Sequence, residues 1–278
     1  MPRIALVVHP ARPAAVRLAA KTRDWWEAHG YEVVDLGLPA APTADEQGAI
    51  DLAISLGGDG TMLRTVELAS PLGAPVIGVN LGRMGYLTEV EPAGLEAAFE
   101  RFASGEYEVA ERMTLAVTVT RGGREEHGLQ GLVALNEVTL EKIAPGHTIR
   151  FDVSISGRPF LTYAADGVIV STPTGSTAYN LSARGPIVSP SLRAMVLTPI
   201  SPHMLFDRSL VLDPGEWVKL ELQGAQPGTL VVDGTPSMQL GAGDIVTARA
   251  ADTAARIVTF GRRDFHAILR GKFGLTDR

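Results

Sequence analysis

Three polar blocks interrupt an otherwise apolar chain, and each is composed to do chemistry. The first is Gly57-Gly58-Asp59-Gly60-Thr61. Glycines admit positive φ and let backbone N–H groups approach phosphate oxygens unobstructed, and a helix starting directly afterwards favours anions. A carboxylate repels phosphate. Asp59 therefore suits such a loop only if it takes a proton from an attacking hydroxyl or faces a divalent cation lying between it and the phosphates. The alternative is a tight turn in which Asp59 or Thr61 caps the helix. The second block is Asn136-Glu137, in Ala-Leu-Asn-Glu-Val-Thr-Leu. Glu accepts from vicinal ribose hydroxyls and Asn both donates and accepts, although taken alone the pair reads first as an exposed strand edge or bulge. The third runs from Asp166 to Ser182 and on through Ala183-Arg184-Gly185-Pro186. Six hydroxyl residues crowd Ser171 to Tyr179, with Pro173 and Gly175 fixing the backbone. Such a loop suits a ribose or a base edge, and Tyr179 offers a ring for stacking; otherwise it is a Ser/Thr loop capping its own helix.

What is missing narrows the chemistry. The chain has no cysteine, which removes disulfides, thiolate metal sites and a cysteine nucleophile. Its six histidines, at 9, 29, 127, 147, 203 and 266, show no i, i+4 metal spacing. His203, in Ser201-Pro-His-Met-Leu, lines a site or serves the core. No Gly-x-Ser-x-Gly surrounds Ser176, and neither a Gly-x-x-x-x-Gly-Lys-Ser/Thr loop nor a strand-borne Gly-x-Gly-x-x-Gly is present. With 25 Lys+Arg against 31 Asp+Glu the net charge is −6, so no binding to nucleic acid through a basic face is expected. No apolar run reaches the roughly 18–20 residues of a membrane span, and Ile4 to Val8 is too short for a signal-peptide core. A soluble, cytoplasmic protein without membrane contact is expected.

The elements that must position these blocks fall into two textures. In the first third, apolar runs at Arg3–Val8, Tyr31–Leu36, Leu52–Leu56 and Pro75–Val79 alternate with helical spacing after Pro13, from Thr61 to Ser70 and from Leu95 to Phe102. Strand and helix in alternation imply βαβ units and a mostly parallel sheet. The first helix is expected to bury Val16, Ala19, Ala20 and Trp26 and to stop at Gly30. Past residue 107 the period becomes two: Met113, Leu115, Val117 and Val119 alternate with polar or small residues, and Gly122-Gly123 reads as a hairpin turn. Further short strands follow at Ile149–Ile155, Val168–Val170, Ser209–Leu212, Trp217–Leu222, Thr229–Val232 and Ile245–Ala248, with a helical tail from Phe265 to Phe273. The expected fold is an α/β N-terminal domain with a mostly parallel sheet plus an all-β, sandwich-like second domain. Residues 1–107, joined by 250–278, would form the first and 108–249 the second.

Taken together and in this order, the blocks resemble the NAD kinase family. The resemblance covers nearly the whole chain through Gly57–Thr61, Asn80-Leu-Gly-Arg-Met-Gly-Tyr-Leu-Thr88, Asn136-Glu137 and Asp166 to Ser182. The glycine loop alone is shared with lipid kinases and resembles that of phosphofructokinases; Thr172-Pro-Thr-Gly-Ser-Thr-Ala-Tyr179 is the specific part. The resemblance implies transfer of a phosphoryl group from ATP to the adenosine ribose 2′-hydroxyl of NAD, with Mg2+ or another divalent cation delivered on ATP. It implies that Asp59 is the general base and that Gly57, Gly58 and Gly60 lie against phosphates. Asn136 and Glu137 would bind a ribose on the ATP or the nicotinamide side, and Asp166 would hold the nicotinamide end. Thr174, Thr177, Ala178, Tyr179 and Ser182 would line the dinucleotide pocket, Tyr86 would lie near the adenine, and Arg64 and His147 would be basic ligand contacts. Homodimers or homotetramers are implied as well. The chain departs from the family pattern at Ala164, where Arg is common, at Thr235, where Gln is frequent, and at Arg184, where the usual Gly-Gly-Pro has become Arg-Gly-Pro. A lipid kinase and a non-catalytic NAD-binding regulator are the alternatives.

Overall fold

The continuous apolar runs of the first third become strands, the central ones buried on both faces. In the computed structural model, which describes residues 1–36, 49–82, 85–125, 132–261 and 264–275, β1 (Arg3–Val8), β2 (Glu32–Asp35), β3 (Leu52–Gly57), β4 (Val76–Asn80), β5 (Glu108–Arg112) and β19 (Ala255–Thr259) form one sheet in the order β2-β1-β3-β4-β19-β5. The β1–β2, β1–β3, β3–β4 and β4–β19 pairs are parallel. Every residue of β3 and β4 is buried, as a sheet covered by helices on both faces requires. The helices of this unit are α1 (Pro13–Ala28), α2 (Asp59–Ala69) and α3 (Leu95–Ala103). Ile4, Leu6, Trp26, Ile54, Ile77 and Phe99 belong to the core that joins sheet and helices. Arg83 and Met84, inside the Asn80–Thr88 block, and His127 lie outside the described residues.

One sequence expectation fails in α1. Its buried residues are Ala15, Thr22 and Trp26, whereas Val16 is 53% exposed and Ala20 is exposed. The inward stripe is set by Trp26, the largest side chain, which packs 5.0 Å from the Phe99 ring. A helix turned to bury that ring carries Ala15 and Thr22 inward and Val16 out. The helix ends at His29 and Gly30, whose φ of 83° is left-handed. The tail forms α5 (Phe265–Phe273), whose Asp264 cap accepts from the His266 and Ala267 N–H groups. The chain divides into two compact units, Met1–Glu111 with Ala255–Arg278 and Arg112–Ala254.

The second unit has two antiparallel sheets. One joins β6 (Leu115–Arg121), β7 (Arg124–Glu125), β8 (Leu132–Ala134), β10 (Ile149–Ile155), β11 (Arg158–Ala165), β15 (Trp217–Gln223) and β18 (Ile245–Ala250) in the order β11-β10-β15-β18-β6-β7, with β8 also on β6. The other joins β9 (Glu137–Lys142), β12 (Gly167–Ser171), β13 (Met195–Ile200), β14 (Leu210–Leu212), β16 (Gly228–Val232) and β17 (Thr235–Leu240) in the order β14-β13-β12-β9-β16-β17. Period two is realised in β6: Leu115, Val117 and Val119 are buried while Ala116, Thr118 and Thr120 are half-buried. Thr114, on the polar side of that alternation, is fully buried, its hydroxyl donating to the Thr253 carbonyl at 2.7 Å. Gly122 and Gly123, at φ 56° and 77°, make the two-residue turn between β6 and β7. Residues of both sheets, among them Val117, Leu140, Phe151, Val170 and Leu220, share one core, the layered arrangement of a sandwich. Among the described residues no helix is long and apolar enough to cross a membrane.

Candidate functional site

In the first unit the chemistry gathers at the carboxyl ends of adjacent parallel strands, where open α/β sheets hold ligands. The chain leaving β1 is tied to the end of β3 by the His9 N–H on the Leu56 carbonyl (3.1 Å), and the chain leaving β4 by the Leu81 N–H on the Gly57 carbonyl (2.8 Å). The glycine loop follows β3 directly. A Cβ on Gly57 would stand 2.1 Å from Thr61 Oγ1, so only glycine fits there; Cβ atoms on Gly58 or Gly60 would meet nothing within 4 Å. Those two glycines leave bare backbone facing open space. Gly58 is the N-cap of α2 and supplies no side chain, which leaves the first N–H groups of the helix to an anion.

Asp59 does not cap α2. Its Oδ2 accepts the Tyr86 N–H at 3.0 Å and its Oδ1 the Leu87 N–H at 3.1 Å. One hydrogen bond to each oxygen fixes the carboxylate plane and leaves each oxygen a lone pair. Gly85 makes this possible: a Cβ there would lie 2.0 Å from Asp59 Oδ1. Tyr86 is brought to the same place. Lys272 Nζ sits 4.1 Å from the centre of its ring, and burial, then the Asp59 charge, raise its phenol above the usual range. Arg64 turns instead to Glu67, 2.6 Å away on the next turn of α2.

In the second unit the Asn136-Glu137 pair stands where β8 gives way to β9. Asp233, between β16 and β17, organises it: its carboxylate accepts the N–H groups of Leu135 (2.7 Å), Asn136 (2.8 Å) and Glu137 (3.0 Å), and its own N–H donates to the Glu137 carbonyl. Asp233 holds φ at 47° to do so, a left-handed backbone that Asp tolerates better than most residues. The exposed-edge reading of the pair is thereby corrected. β9 lies between β12 and β16, and Glu137 is only 6% exposed. Burial, followed by the neighbouring Asp233 charge, pushes its carboxyl up to about 8, against the opposing pull of the Tyr179 backbone N–H. Its Oε2 is buried with no hydrogen-bond partner. Such a group is ready for a hydroxyl. Asp166 acts on Tyr179 as well, and pairs with Lys142 Nζ at 2.6 Å.

The hydroxyl-rich loop is mostly self-contained. Ser171 and Thr172 donate to the carbonyls of Asn136 and Leu135, Ser176 to that of Pro173, and Thr177 to that of Thr174. Ser176 Oγ also accepts the Val188 N–H. Gly175 presses on Asn136 so closely that a Cβ would meet its carbonyl oxygen at 2.1 Å. Asn180, fully buried, accepts from Thr198 at 2.7 Å and donates to the Ser176 and Pro186 carbonyls. Thr174 is buried and Ala178 precedes the short helix α4 (Tyr179–Ser182). Tyr179 and Ser182 open onto a cleft of about 630 Å³ that Ser201 and Arg208 also line. His147 is exposed in the connection between β9 and β10. His203 is held through its backbone, its N–H donating to the Ala164 carbonyl. Asp233 and Gly85 are the residues that sequence reasoning misses. Asp233-Gly234 carries the composition of a hairpin turn, and Gly85 lies inside the Asn80–Thr88 block, but in neither case does spacing announce the long-range contact.

Comparison with known proteins gives this arrangement a lineage. Residues 40–107 match the family model for the ATP-NAD kinase N-terminal domain and residues 135–260 that for the ATP-NAD kinase C-terminal domain. The NAD kinase of Heliobacterium modesticaldum is 42% identical over 98% of both chains, and that of Symbiobacterium thermophilum 38% over 99% of this chain and 100% of its own. Among solved structures, yeast NADH kinase complexed with NADH superposes with a TM-score of 0.86 at 22% identity, covering 100% of this chain and 89% of that one. An Archaeoglobus fulgidus NAD kinase in complex with ATP gives 0.75 at 24%, covering 98% and 97%; at such identities these two speak for the fold. With both halves matched and full-length relatives well above 30% identity, the chain belongs to the NAD kinase family.

Proposed function

We propose that the protein transfers the terminal phosphoryl group of ATP to the 2′-hydroxyl of the adenosine ribose of NAD, yielding ADP and NADP. The observation that carries this reading is the Asp59 carboxylate, immobilised by two backbone N–H groups at the start of a helix whose glycine loop is bare. As the hydroxyl oxygen bonds to phosphorus, its proton passes to Asp59 and the bridging oxygen leaves with ADP. Phosphoryl transfer has a loose transition state, so positioning and charge neutralisation supply most of the acceleration. The free N–H groups at the start of α2 serve the second of these for the phosphates.

In the second unit, Asn136 and Glu137 take ribose hydroxyls. A Glu137 that keeps its proton near neutrality offers both a donor and an acceptor, and its partnerless Oε2 supports that role. Asp166 holds the nicotinamide end, and Thr174, Thr177, Ala178, Tyr179 and Ser182 border the dinucleotide.

A divalent cation, Mg2+ in this reading, enters as part of the ATP substrate, bound to phosphate oxygens. Asp59, with a lone pair open on each oxygen, is the hard oxygen donor of the loop. The same reading includes cytoplasmic action and homodimers or homotetramers; exposed Phe160, Leu192 and Val211 offer apolar surface for assembly.

The test is NADP formation from ATP, Mg2+ and NAD by the wild-type chain and by Asp59→Asn. A general base is worth about 10²–10⁴-fold. The variant is expected to bind NAD normally and to lose turnover by that factor; wild-type turnover in the variant overturns the assignment.

A further inference from the structure

Four described non-glycine residues adopt left-handed backbone: Ser156, Arg184, Ser201 and Asp233. Asp233 organises the Asn136-Glu137 turn. Two of the others, Arg184 at φ 65° and Ser201 at φ 45°, line the same cleft of about 630 Å³, onto which Tyr179 and Ser182 also open. A long, β-carbon-bearing side chain in this conformation is disfavoured, and such residues persist where the surroundings or the function demand them. Arg184 is exposed and makes no ion pair among the described residues, so no salt bridge explains its presence. Gly185, directly after it, cannot be replaced: a Cβ there would lie 2.1 Å from the Asn180 Oδ1. The segment is thus anchored, and Arg184 is carried on a fixed support at the cleft wall.

Charges of both signs surround Tyr179. Glu137, Glu141 and Asp166 all act on its phenol. The cleft onto which Tyr179 opens is lined by Arg184, Arg208 and Asp207, the last 3.5 Å from the Arg208 guanidinium. Carboxylates suit sugar hydroxyls, and an unpaired guanidinium suits a phosphate, which it binds through a fork of donors. A ligand held against Tyr179 that carries both hydroxyls and phosphate meets a partner for each.

We propose that Arg184 is a specificity-determining residue that contacts a phosphate group of the nucleotide held against Tyr179 and Ser182. This deepens, and rests on, the NAD-binding reading of that cleft. The left-handed backbone of Arg184 falls in the turn that closes α4, where its N–H donates to the Leu181 carbonyl and the Gly185 N–H to the Asn180 carbonyl, a position in which glycine would be the relaxed choice.

The experiment compares the full-length wild-type chain with Arg184→Gly and Arg184→Gln by calorimetric titration with NAD, thermal melting and steady-state NADP formation. Loss of one exposed charge-assisted contact is expected to weaken NAD binding about five- to tenfold in both variants and to flatten the salt dependence of the dissociation constant, because a screened ionic contact has gone. The two variants separate charge from conformation. Arg184→Gly suits the backbone and melts no lower than wild type, whereas Arg184→Gln keeps the left-handed β-carbon and melts with wild type. A purely structural Arg184 would not weaken binding in a variant that melts normally. NAD binding within about twofold of wild type in both variants, with the salt dependence unchanged, overturns the Arg184 contact alone. A wild-type chain that neither binds NAD nor forms NADP overturns the reading beneath it.

Discussion

Gly85 offers the sharpest test of whether the carboxylate of Asp59 must be held where it is. Alanine at 85 would place a methyl carbon 2.0 Å from Asp59 Oδ1 and 2.7 Å from its Cγ. Real β-carbons essentially never approach another atom within 3.0 Å, so one partner must retreat by about 1 Å. The retreat breaks the alignment of the two hydrogen bonds from Tyr86 and Leu87, because both act on that carboxylate. Displacement of this size costs about 10²-fold when positioning dominates a rate. Gly85→Ala is therefore expected to lower kcat about 10²-fold, with the KM for NAD changed much less. The decisive measurement is the double variant with Asp59→Asn. If alanine acts by displacing Asp59, the double variant turns over no more slowly than Asp59→Asn alone, since a group already removed cannot be misplaced. Independent, multiplying losses in NADP formation, or wild-type turnover in Gly85→Ala, would refute the argument.

Other outcomes follow from the second unit. Glu137 binds its proton up to about pH 8 when folded, against an ordinary value of 4.5. Between those values the folded chain holds one proton more than the unfolded chain, so stability is present at low pH and declines as pH rises, by at most about 1.4 kcal/mol per unit from this group. Glu137→Gln should remove that slope in urea unfolding of the unliganded protein; identical slopes in the two proteins would count against it. Asp233→Asn replaces one accepting oxygen with a donor facing an N–H group. It should destabilise by about 1–3 kcal/mol in calorimetry and, by withdrawing the charge beside Glu137, move the pH dependence of the KM for NAD to lower pH. Asn180→Ala leaves the Thr198 hydroxyl with Ser209 alone and takes the amide donor from the Ser176 and Pro186 carbonyls, and a loss of about 1–3 kcal/mol in unfolding free energy is expected. Chelation of divalent cations should abolish NADP formation and leave the melting temperature unchanged, because the cation arrives with ATP; a lowered melting temperature on chelation would contradict that.

Much of this architecture is legible because the signals are local. The buried runs of β3 and β4, the period of two in β6 and the Gly122-Gly123 turn each follow from a few consecutive residues. The stripe of α1 is misread when apolar identity outweighs size: Val16 belongs inward by composition, yet the ring of Trp26 decides the rotation and brings Thr22 in with it. The glycine loop is legible as a bare backbone, but the partners of Asp59 are not, since 27 and 28 residues separate it from the N–H groups it accepts. Asp233 escapes for the same reason, at a separation of 96 to 98 residues. The hydroxyl loop stands out by its composition, which conceals how its hydroxyls are used: Ser171, Thr172, Ser176 and Thr177 direct their protons to neighbouring carbonyls.

That inward bonding has a thermodynamic consequence. A wall in which Ser171, Thr172, Ser176 and Thr177 are already committed has surrendered much of its rotational freedom during folding, so an arriving coenzyme has little left to freeze there. Association should then proceed without a large opposing entropy from the protein, and close analogues should be discriminated by shape, because a rigid rim cannot rearrange to welcome a poorer fit.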